Sequence, residues 1–339
     1  MANGDRPLRF FVLAGSEALG EAMARHLAIE PSPHEVREFE DGEHKIRPLT
    51  GVEGADCYVV SSLAGDARLD PDKKLVRMLF FIGALKDAGA ARVTAVTPYL
   101  AYGRKDRRTK RRDPLNTRYT ACLFEAVGTD AIVTMDVHNP AAFENAFRIR
   151  TVNLDLAPLL VDYARAHLAD LPLAIVSPDA GGVKRAERVR KALAAVLEHP
   201  VGRGFVEKYR SGDEVSGETF VGDVAGREAL IVDDMIASGT TLVRAAAACR
   251  KAGATAVHAA ATHGLFQGKA EDILGRAGLD TLIVSDTLPP WRLSASGGLR
   301  ESLVVLPASR RLAEAVDRLH RGRDLSAIDD TAPPDGSDA

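Results

Sequence analysis

Glu228 to Val243 reads EALIVDDMIASGTTLV. A short apolar run, Leu230-Ile231-Val232, ends in two adjacent carboxylates, Asp233 and Asp234. A small-residue turn follows, Ala237-Ser238-Gly239-Thr240-Thr241, and a helical pattern begins at Leu242. Strand, acid pair, Gly/Ser/Thr turn and helix together make a cradle for a sugar phosphate. Backbone N–H groups at a helix N-terminus hold a phosphate dianion without needing a cation. The hydroxyls of Ser238, Thr240 and Thr241 add donors, and the carboxylates stand where ribose hydroxyls would lie.

Five further segments carry candidate chemistry. Phe39-Glu40-Asp41-Gly42-Glu43 is a glycine turn that presents Asp41 and Glu43 from one loop, beside an aromatic able to stack on a purine; alone it reads better as a solvated acidic turn. Tyr99 to Arg112 follows a strand directly, where α/β proteins bind ligands. It holds seven cations between Arg104 and Arg112, interrupted by Asp106 and Thr109. A nucleic-acid patch is one reading; neutralising a triphosphate fits the local charge better, because the chain has no second basic stripe. Met135-Asp136-Val137-His138 ends the next strand, and on its own His138 reads as a core residue. In Ser177-Pro178-Asp179-Ala180-Gly181-Gly182, Asp179 suits either a helix cap or Mg²⁺, which takes oxygen ligands and leaves room for substrate phosphates. In Phe205-Val206-Glu207-Lys208-Tyr209-Arg210, two cations flank a tyrosine before the polar stretch SGDEVSGETF, read as a mobile loop; a solvated edge explains it equally.

The 339 residues suffice for two domains, and 46% apolar content suffices for their cores. A net charge of −3 sets up no global field for nucleic acid. Three scattered cysteines, Cys57, Cys122 and Cys249, without a CxxC, argue against disulfides and zinc and for a reducing cytoplasm. No apolar run approaches the ~18 residues of a membrane span, and MANGDRPLR lacks the apolar core of a signal peptide.

Short β-branched runs alternate with Ala/Leu/Arg-rich stretches, which predicts parallel sheets covered by helices. Strands are expected over Phe10–Ala14, Cys57–Ser61, Val93–Thr97, Ala131–Met135, Leu173–Val176, Gly204–Glu207, Leu230–Val232, Ala256–Thr262 and Thr281–Ser285. Helices are expected over Glu17–Ala28, Lys74–Ala88, Tyr119–Val127, Val183–Leu197, Leu242–Ala252 and Arg310–Leu319. Two such series imply two similar domains divided near Asn153–Pro158. The tail after Arg323 is acidic and rich in Pro, Gly and Ser, a composition that favours disorder.

In order along the chain, FEDGE, YGRKDRR, MDVH, SPDAGG, EKYR, VGDVAGR and VDDMIASGTT resemble the ribose-phosphate pyrophosphokinase (PRPP synthetase) family over residues 8–320, as a divergent member. The last segment also resembles the 5-phosphoribosyl-1-pyrophosphate (PRPP) signature of the type I phosphoribosyltransferase fold. The family resemblance implies an α/β chain of two phosphoribosyltransferase type I-like domains, each a mostly parallel sheet flanked by helices. Residues 1–154 would form the ATP side, 155–320 the ribose 5-phosphate side, and 321–339 a disordered tail. It implies PRPP and AMP made from ATP and ribose 5-phosphate with Mg²⁺, in a cytoplasmic homo-oligomer. That oligomer would be at least a dimer, commonly a hexamer, with ATP between subunits and neither nucleic acid nor membrane as partner.

By the same resemblance, Phe39, Asp41 and Glu43 meet the adenine side of ATP. Arg104, Lys105 and Asp106 contact ATP, although the family usually has Gln where Lys105 stands. His138 and Asp179 bind Mg²⁺, Lys208 is catalytic and Arg210 its partner. Asp233 and Asp234 address the ribose hydroxyls, and Ala237, Ser238, Gly239, Thr240 and Thr241 the 5-phosphate. The chain departs from the family at Ala237, usually Asp, and at Tyr209, usually basic. Gly51 and Glu53 align where many bacterial members carry a Ser and an Arg for an allosteric phosphate or ADP. Two rival readings remain at this level: a PRPP-consuming phosphoribosyltransferase, and a non-catalytic regulatory subunit.

Overall fold

Each unbroken apolar run becomes a buried strand, and each Ala/Leu stretch with a polar face becomes the helix that covers it. The computed structural model describes residues 6–168, 171–197, 199–211 and 214–329, with side chains left out at 208–211, 214–218, 327 and 329. The described chain divides into two compact units.

The first unit runs to Leu154 and takes in Ala308–Ile328 as well. In chain order it comprises β1 (Leu8–Val12), α1 (Glu17–Leu27), β2 (His34–Glu38), β3 (His44–Pro48), β4 (Asp56–Val60), α2 (Pro71–Asp87), β5 (Arg92–Val96), α3 (Asn116–Ala126), β6 (Ala131–Met135), α4 (Pro140–Ala146) and β7 (Arg150–Leu154). Strands β1, β4, β5, β6 and β7 form a parallel sheet in that order, while β2 and β3 pair antiparallel as a separate hairpin. Two helices start on matching signals. Asp70 caps α2 by accepting from the Lys73 amide, and Asn139 caps α4 by accepting from the Ala142 amide, each with Pro at the first helical position, where its missing N–H costs nothing.

The second unit comprises α5 (Ala157–His167), β8 (Leu173–Ser177), a 3-10 turn over Ala180–Gly182, α6 (Val183–Ala194), β9 (Gly202–Ser211), β10 (Glu214–Gly222), β11 (Glu228–Ile236), α7 (Thr240–Lys251), β12 (Ala256–Gly264), α8 (Ala270–Gly275), β13 (Thr281–Ser285), α9 (Gly298–Glu301) and β14 (Leu303–Leu306). Its sheet runs β10-β9-β8-β11-β12-β13-β14, and only β10 is antiparallel to its neighbour. The chain winds outward from β8 to β9 and β10 on one side and resumes on the other with β11. Strands β8 and β11 therefore flank a topological switch point, where their C-terminal ends open a crevice.

Beyond shifted element ends and short elements that the sequence did not predict, such as the β2–β3 hairpin, the structure departs from the sequence expectations as follows. Strand β11 does not stop at Val232; it carries Asp233 and Asp234 in register with β12 as far as Ile236, because the parallel ladder continues past the apolar run. The polar stretch after Arg210, expected to be a mobile loop, pairs from Glu214 to Gly222 with β9 as a hairpin arm. Finally, α10 (Ser309–Arg321) packs on α1 in the first unit, so residues 308–320 leave the second domain to which the sequence assigns them. The chain beyond it is ordered at first: Gly322 closes α10 in the left-handed region, α11 (Ser326–Asp329) follows, and Ile328 is buried. The remainder of the expected disordered tail, 330–339, lies outside the described residues.

Candidate active site

In the second unit the switch point gathers the sugar-phosphate candidates. Asp179 lies two residues past the end of β8. Its Oδ1 accepts from the amides of Gly181 at 3.0 Å and Gly182 at 3.2 Å, which fixes the carboxylate at the strand end. Two residues into α6, Arg185 is buried and reaches back to the acid pair, with Nη1 4.0 Å from Asp233 Oδ1 and 3.8 Å from Asp234 Oδ1. The Asp234 amide donates to Asp233 Oδ1 at 2.9 Å. Burial, then the like charge of Asp234, push the Asp233 carboxyl well above its ordinary range, and Arg185 pulls it back down.

Beyond the acids, Ala237–Gly239 turns into α7. Gly239, at φ +79°, is the residue before the helix, and a Cβ there would stand 2.6 Å from Leu274 Cγ, so this position requires glycine twice over. The Ser238 and Thr240 hydroxyls lie 3.1 Å apart on the exposed side of the turn, and the Gln267 amide holds the Ala237 carbonyl at 2.8 Å. Amides at the start of a twelve-residue helix and two exposed hydroxyls form an anion cradle beside two carboxylates.

In the first unit, Phe39, Asp41 and Glu43 share the β2–β3 turn. The Glu43 amide donates to Asp41 Oδ1 at 3.0 Å, the Phe39 amide to the Glu43 carbonyl at 2.9 Å, and Gly42 has φ +89°. Phe39 is 42% exposed, with the Arg37 guanidinium 5.3 Å from its ring centre. The loop after β5 is tied down along its length. The Thr117 hydroxyl on α3 lies within 3.3 to 3.4 Å of the carbonyls of Tyr102, Gly103 and Lys105. Arg104 between them is exposed. Lys105 turns inward and donates to Asp113 Oδ2 at 2.5 Å.

Asp106 Oδ2 accepts from Asn139 Nδ2 at 2.5 Å, which joins this loop to the residue after His138. His138 is exposed at the end of β6 rather than in the core, because Asp136 at φ +45° bends the chain outward and Asn153 Oδ1 catches the Val137 amide at 2.9 Å. Lys208 and Arg210 lie on the backbone of β9, where their side chains are outside the described part of the chain. Arg185, Asp113 and Asn139 are the residues that sequence reasoning missed. For Arg185 a signal existed: it lies four residues before Val189 and eight before Leu193, on the buried stripe of α6.

Fold and site define the class: an α/β protein of the phosphoribosyltransferase type, built of two such units. Residues 8–128 match the family model described as the N-terminal domain of ribose phosphate pyrophosphokinase, and residues 210–328 match that of the phosphoribosyl synthetase-associated domain. The chain is 33% identical over 327 residues to ribose-phosphate pyrophosphokinase 1 of Streptococcus pyogenes serotype M3, covering 95% of this chain and 97% of that one. It is 34% identical over 313 residues to ribose-phosphate pyrophosphokinase of Corynebacterium efficiens, covering 91% and 92%. The phosphoribosylpyrophosphate synthetase of Mycobacterium smegmatis superposes with a TM-score of 0.82 at 31% identity, over 94% of this chain and 100% of that one. The chain belongs to the ribose-phosphate pyrophosphokinase family. Among the described residues no helix is long and apolar enough to cross a membrane.

Proposed function

We propose that this chain is a ribose-phosphate diphosphokinase: it transfers the pyrophosphoryl group of ATP to the 1-hydroxyl of ribose 5-phosphate, giving PRPP and AMP. The observation that carries the reading is the switch point of the second unit, where Asp179, Arg185, the Asp233–Asp234 pair and the Ser238–Thr240 cradle converge between β8 and α7. Asp233 and Asp234 accept from the ribose 2- and 3-hydroxyls. The 5-phosphate sits on the amides and hydroxyls of 237–241, which leaves the anomeric oxygen pointing away from the cradle. That oxygen attacks the β-phosphorus of ATP, the bond from the β-phosphorus to the oxygen it shares with the α-phosphorus breaks, the hydroxyl proton is released, and AMP departs.

Phosphoryl chemistry of this kind needs positioning and positive charge rather than covalent steps. Lys208 and Arg210, from β9 next to β8, supply charge to the transferring oxygens. Arg104, exposed in its anchored loop, meets the nucleotide's phosphates, with Lys105 and Asp106 shaping that loop. Phe39 stacks on adenine, and Asp41 and Glu43 meet its amino edge, on an ATP held between subunits of a homo-oligomer, as the family resemblance implies.

His138 in the first unit and Asp179 in the second are each, taken separately, a candidate residue for Mg²⁺. Mg²⁺ takes few protein ligands and fills its shell with water and substrate phosphates. Asp179, oriented by two amides, is a fitting oxygen donor. Held there, Mg²⁺ would neutralise charge on the polyphosphate.

The test is to incubate purified protein with ATP, ribose 5-phosphate and Mg²⁺ and follow AMP. Stoichiometric AMP and PRPP are expected. Consumption of PRPP with a purine or pyrimidine base would make it a phosphoribosyltransferase instead, and no turnover alone would make it a regulatory subunit. Lys208→Ala is expected to lose about two to three decades of turnover, the usual cost of one transition-state donor; a variant with near-normal turnover removes Lys208 from the mechanism.

A further inference from the structure

Asp113 has no part in the chemistry above, yet it is the most heavily hydrogen-bonded carboxylate of the loop after β5. Its Oδ2 accepts four hydrogen bonds: from Lys105 Nζ at 2.5 Å, Thr109 Oγ1 at 2.7 Å, the Lys110 amide at 2.9 Å and the Thr109 amide at 3.0 Å. Arg108 Nε donates to its carbonyl at 3.2 Å, and its own amide donates to the Lys110 carbonyl at 3.2 Å. Successive amides and an ammonium converging on one oxygen form an anion nest, and here the anion is the chain's own.

We propose that Asp113 is a positioning residue, a built-in anion that folds the basic loop 104–112 into the shape in which Arg104 meets the nucleotide. The inference rests on the ATP-side reading of this loop. Seven cations within nine residues repel one another and favour an open, solvated loop. Asp113 offsets that repulsion from inside. It draws Lys105 back onto the loop, so the second cation of the Arg104–Lys105 pair closes the loop rather than reaching for the ligand. Thr117 holds the carbonyls of Gly103 and Lys105, and the Lys105 side chain is held by Asp113, so the backbone on both sides of Arg104 is fixed. Arg104 is then presented with little ordering left to do on binding, which is where preorganisation gains affinity.

The Asp113 carboxyl is held well below the usual carboxylate range, by Lys105 first, then by the Thr109 hydroxyl and the Lys110 amide. The nest therefore stays closed at neutral pH and does not act as a pH switch.

Two variants of the full chain test this: Asp113→Ala, and Asp113→Asn, which keeps the shape without the charge and serves if the alanine variant folds poorly. Hydrogen exchange on the ligand-free protein should show the Thr109 and Lys110 amides exchanging about tenfold faster in Asp113→Ala. Direct titration with ATP should give about tenfold weaker binding, the scale of one charge-assisted hydrogen bond. In the AMP-release assay KM for ATP should rise by a similar factor, while kcat at saturating ATP and KM for ribose 5-phosphate hold within about twofold. Added formate should recover ATP affinity in Asp113→Ala and leave the unmodified protein unchanged. Unaltered exchange at these amides, unaltered ATP affinity, or a loss confined to kcat overturns the proposal. If the unmodified protein binds ATP but releases no AMP, the diphosphokinase reading fails, and the exchange and titration data still decide the role of Asp113.

Discussion

His320 Nδ1 stands 2.8 Å from Oδ2 of Asp56, a residue 264 positions earlier in the chain. Asp56 is fully buried at the start of β4. It also accepts from Arg92 Nε at 2.7 Å and from the Tyr58 hydroxyl at 3.0 Å, and Arg92 donates onward to the Leu319 carbonyl at 2.9 Å. One buried carboxylate thus fastens the returning α10 to the N-terminal ends of the interior strands β4 and β5. A carboxylate taken out of water is tolerated only when paired and hydrogen-bonded, and removing one partner leaves the others uncompensated.

Asp56→Ala is therefore expected to cost about 3–5 kcal/mol, the range for breaking a buried ion pair. Urea denaturation measures it. His320→Ala removes one hydrogen bond from the rim of the same network and should cost about 1 kcal/mol. Equal losses for the two variants would mean that Asp56 is not the centre of the network.

Gly239→Ala tests the cradle. Its φ of +79° disfavours any side chain, and the added methyl would press on Leu274. Relaxing both should cost about 1–3 kcal/mol of stability. It should raise KM for ribose 5-phosphate by about tenfold or more, with KM for ATP little changed, since the amides of the turn are the displaced groups. A rise in KM for ATP alone would place the 5-phosphate elsewhere.

Free phosphate should not be needed for activity. Gly51 contributes its carbonyl to Arg9 Nε at 3.0 Å, and Glu53 puts a carboxylate on the same exposed turn. Such a turn repels an anion rather than holding one. Rates in phosphate-free buffer should lie within about twofold of those with phosphate, and ADP should compete with ATP alone. Activation by phosphate well beyond that, in steady-state assays, would show an anion site that Gly51 and Glu53 do not form.

What the sequence made legible follows from what each element depends on. Ala131–Met135 and Thr281–Ser285 are read to the residue, because a short, mostly β-branched run buried on both faces has a single outcome. Strand β11 is cut short by the same reasoning, since its ladder partners, Ala261 for Asp233 and His263 for Met235, come from a distant segment. The spacing of Leu312, Val316 and Leu319 announces α10 but is silent on which sheet it joins; that is decided by Asp56 and Arg92. In the site, the Asp233–Asp234 pair and the glycine turn are visible because their chemistry is local. Asp113 shows in sequence only as the acid that ends a basic run, and its role exists only once the loop has closed.

The acid pair sets the pH dependence. Burial and the charge of Asp234 raise the Asp233 carboxyl well above its ordinary range, so the folded state holds this proton more tightly than the unfolded chain does. The resulting stability is fully present below the unfolded carboxylate range and is lost as pH rises through the raised value. On the proposed reading the ribose hydroxyls donate to the ionised form, so kcat/KM for ribose 5-phosphate should fall on the acid side at a pH above the ordinary carboxylate range. Arg185, 4.0 Å from Asp233 and 3.8 Å from Asp234, is the cation that favours ionisation. Arg185→Gln should move the acid limb to still higher pH and lower kcat/KM at neutral pH by about tenfold, with KM for ATP unchanged. Asp233→Asn removes the repulsion. It should be at least as stable as the unmodified protein at pH values above the raised one, while losing ribose 5-phosphate affinity. Profiles of kcat/KM against pH, with urea melts at the two extremes, check all of this. An acid limb that stays in place in Arg185→Gln would show that another group, not Arg185, keeps the pair charged.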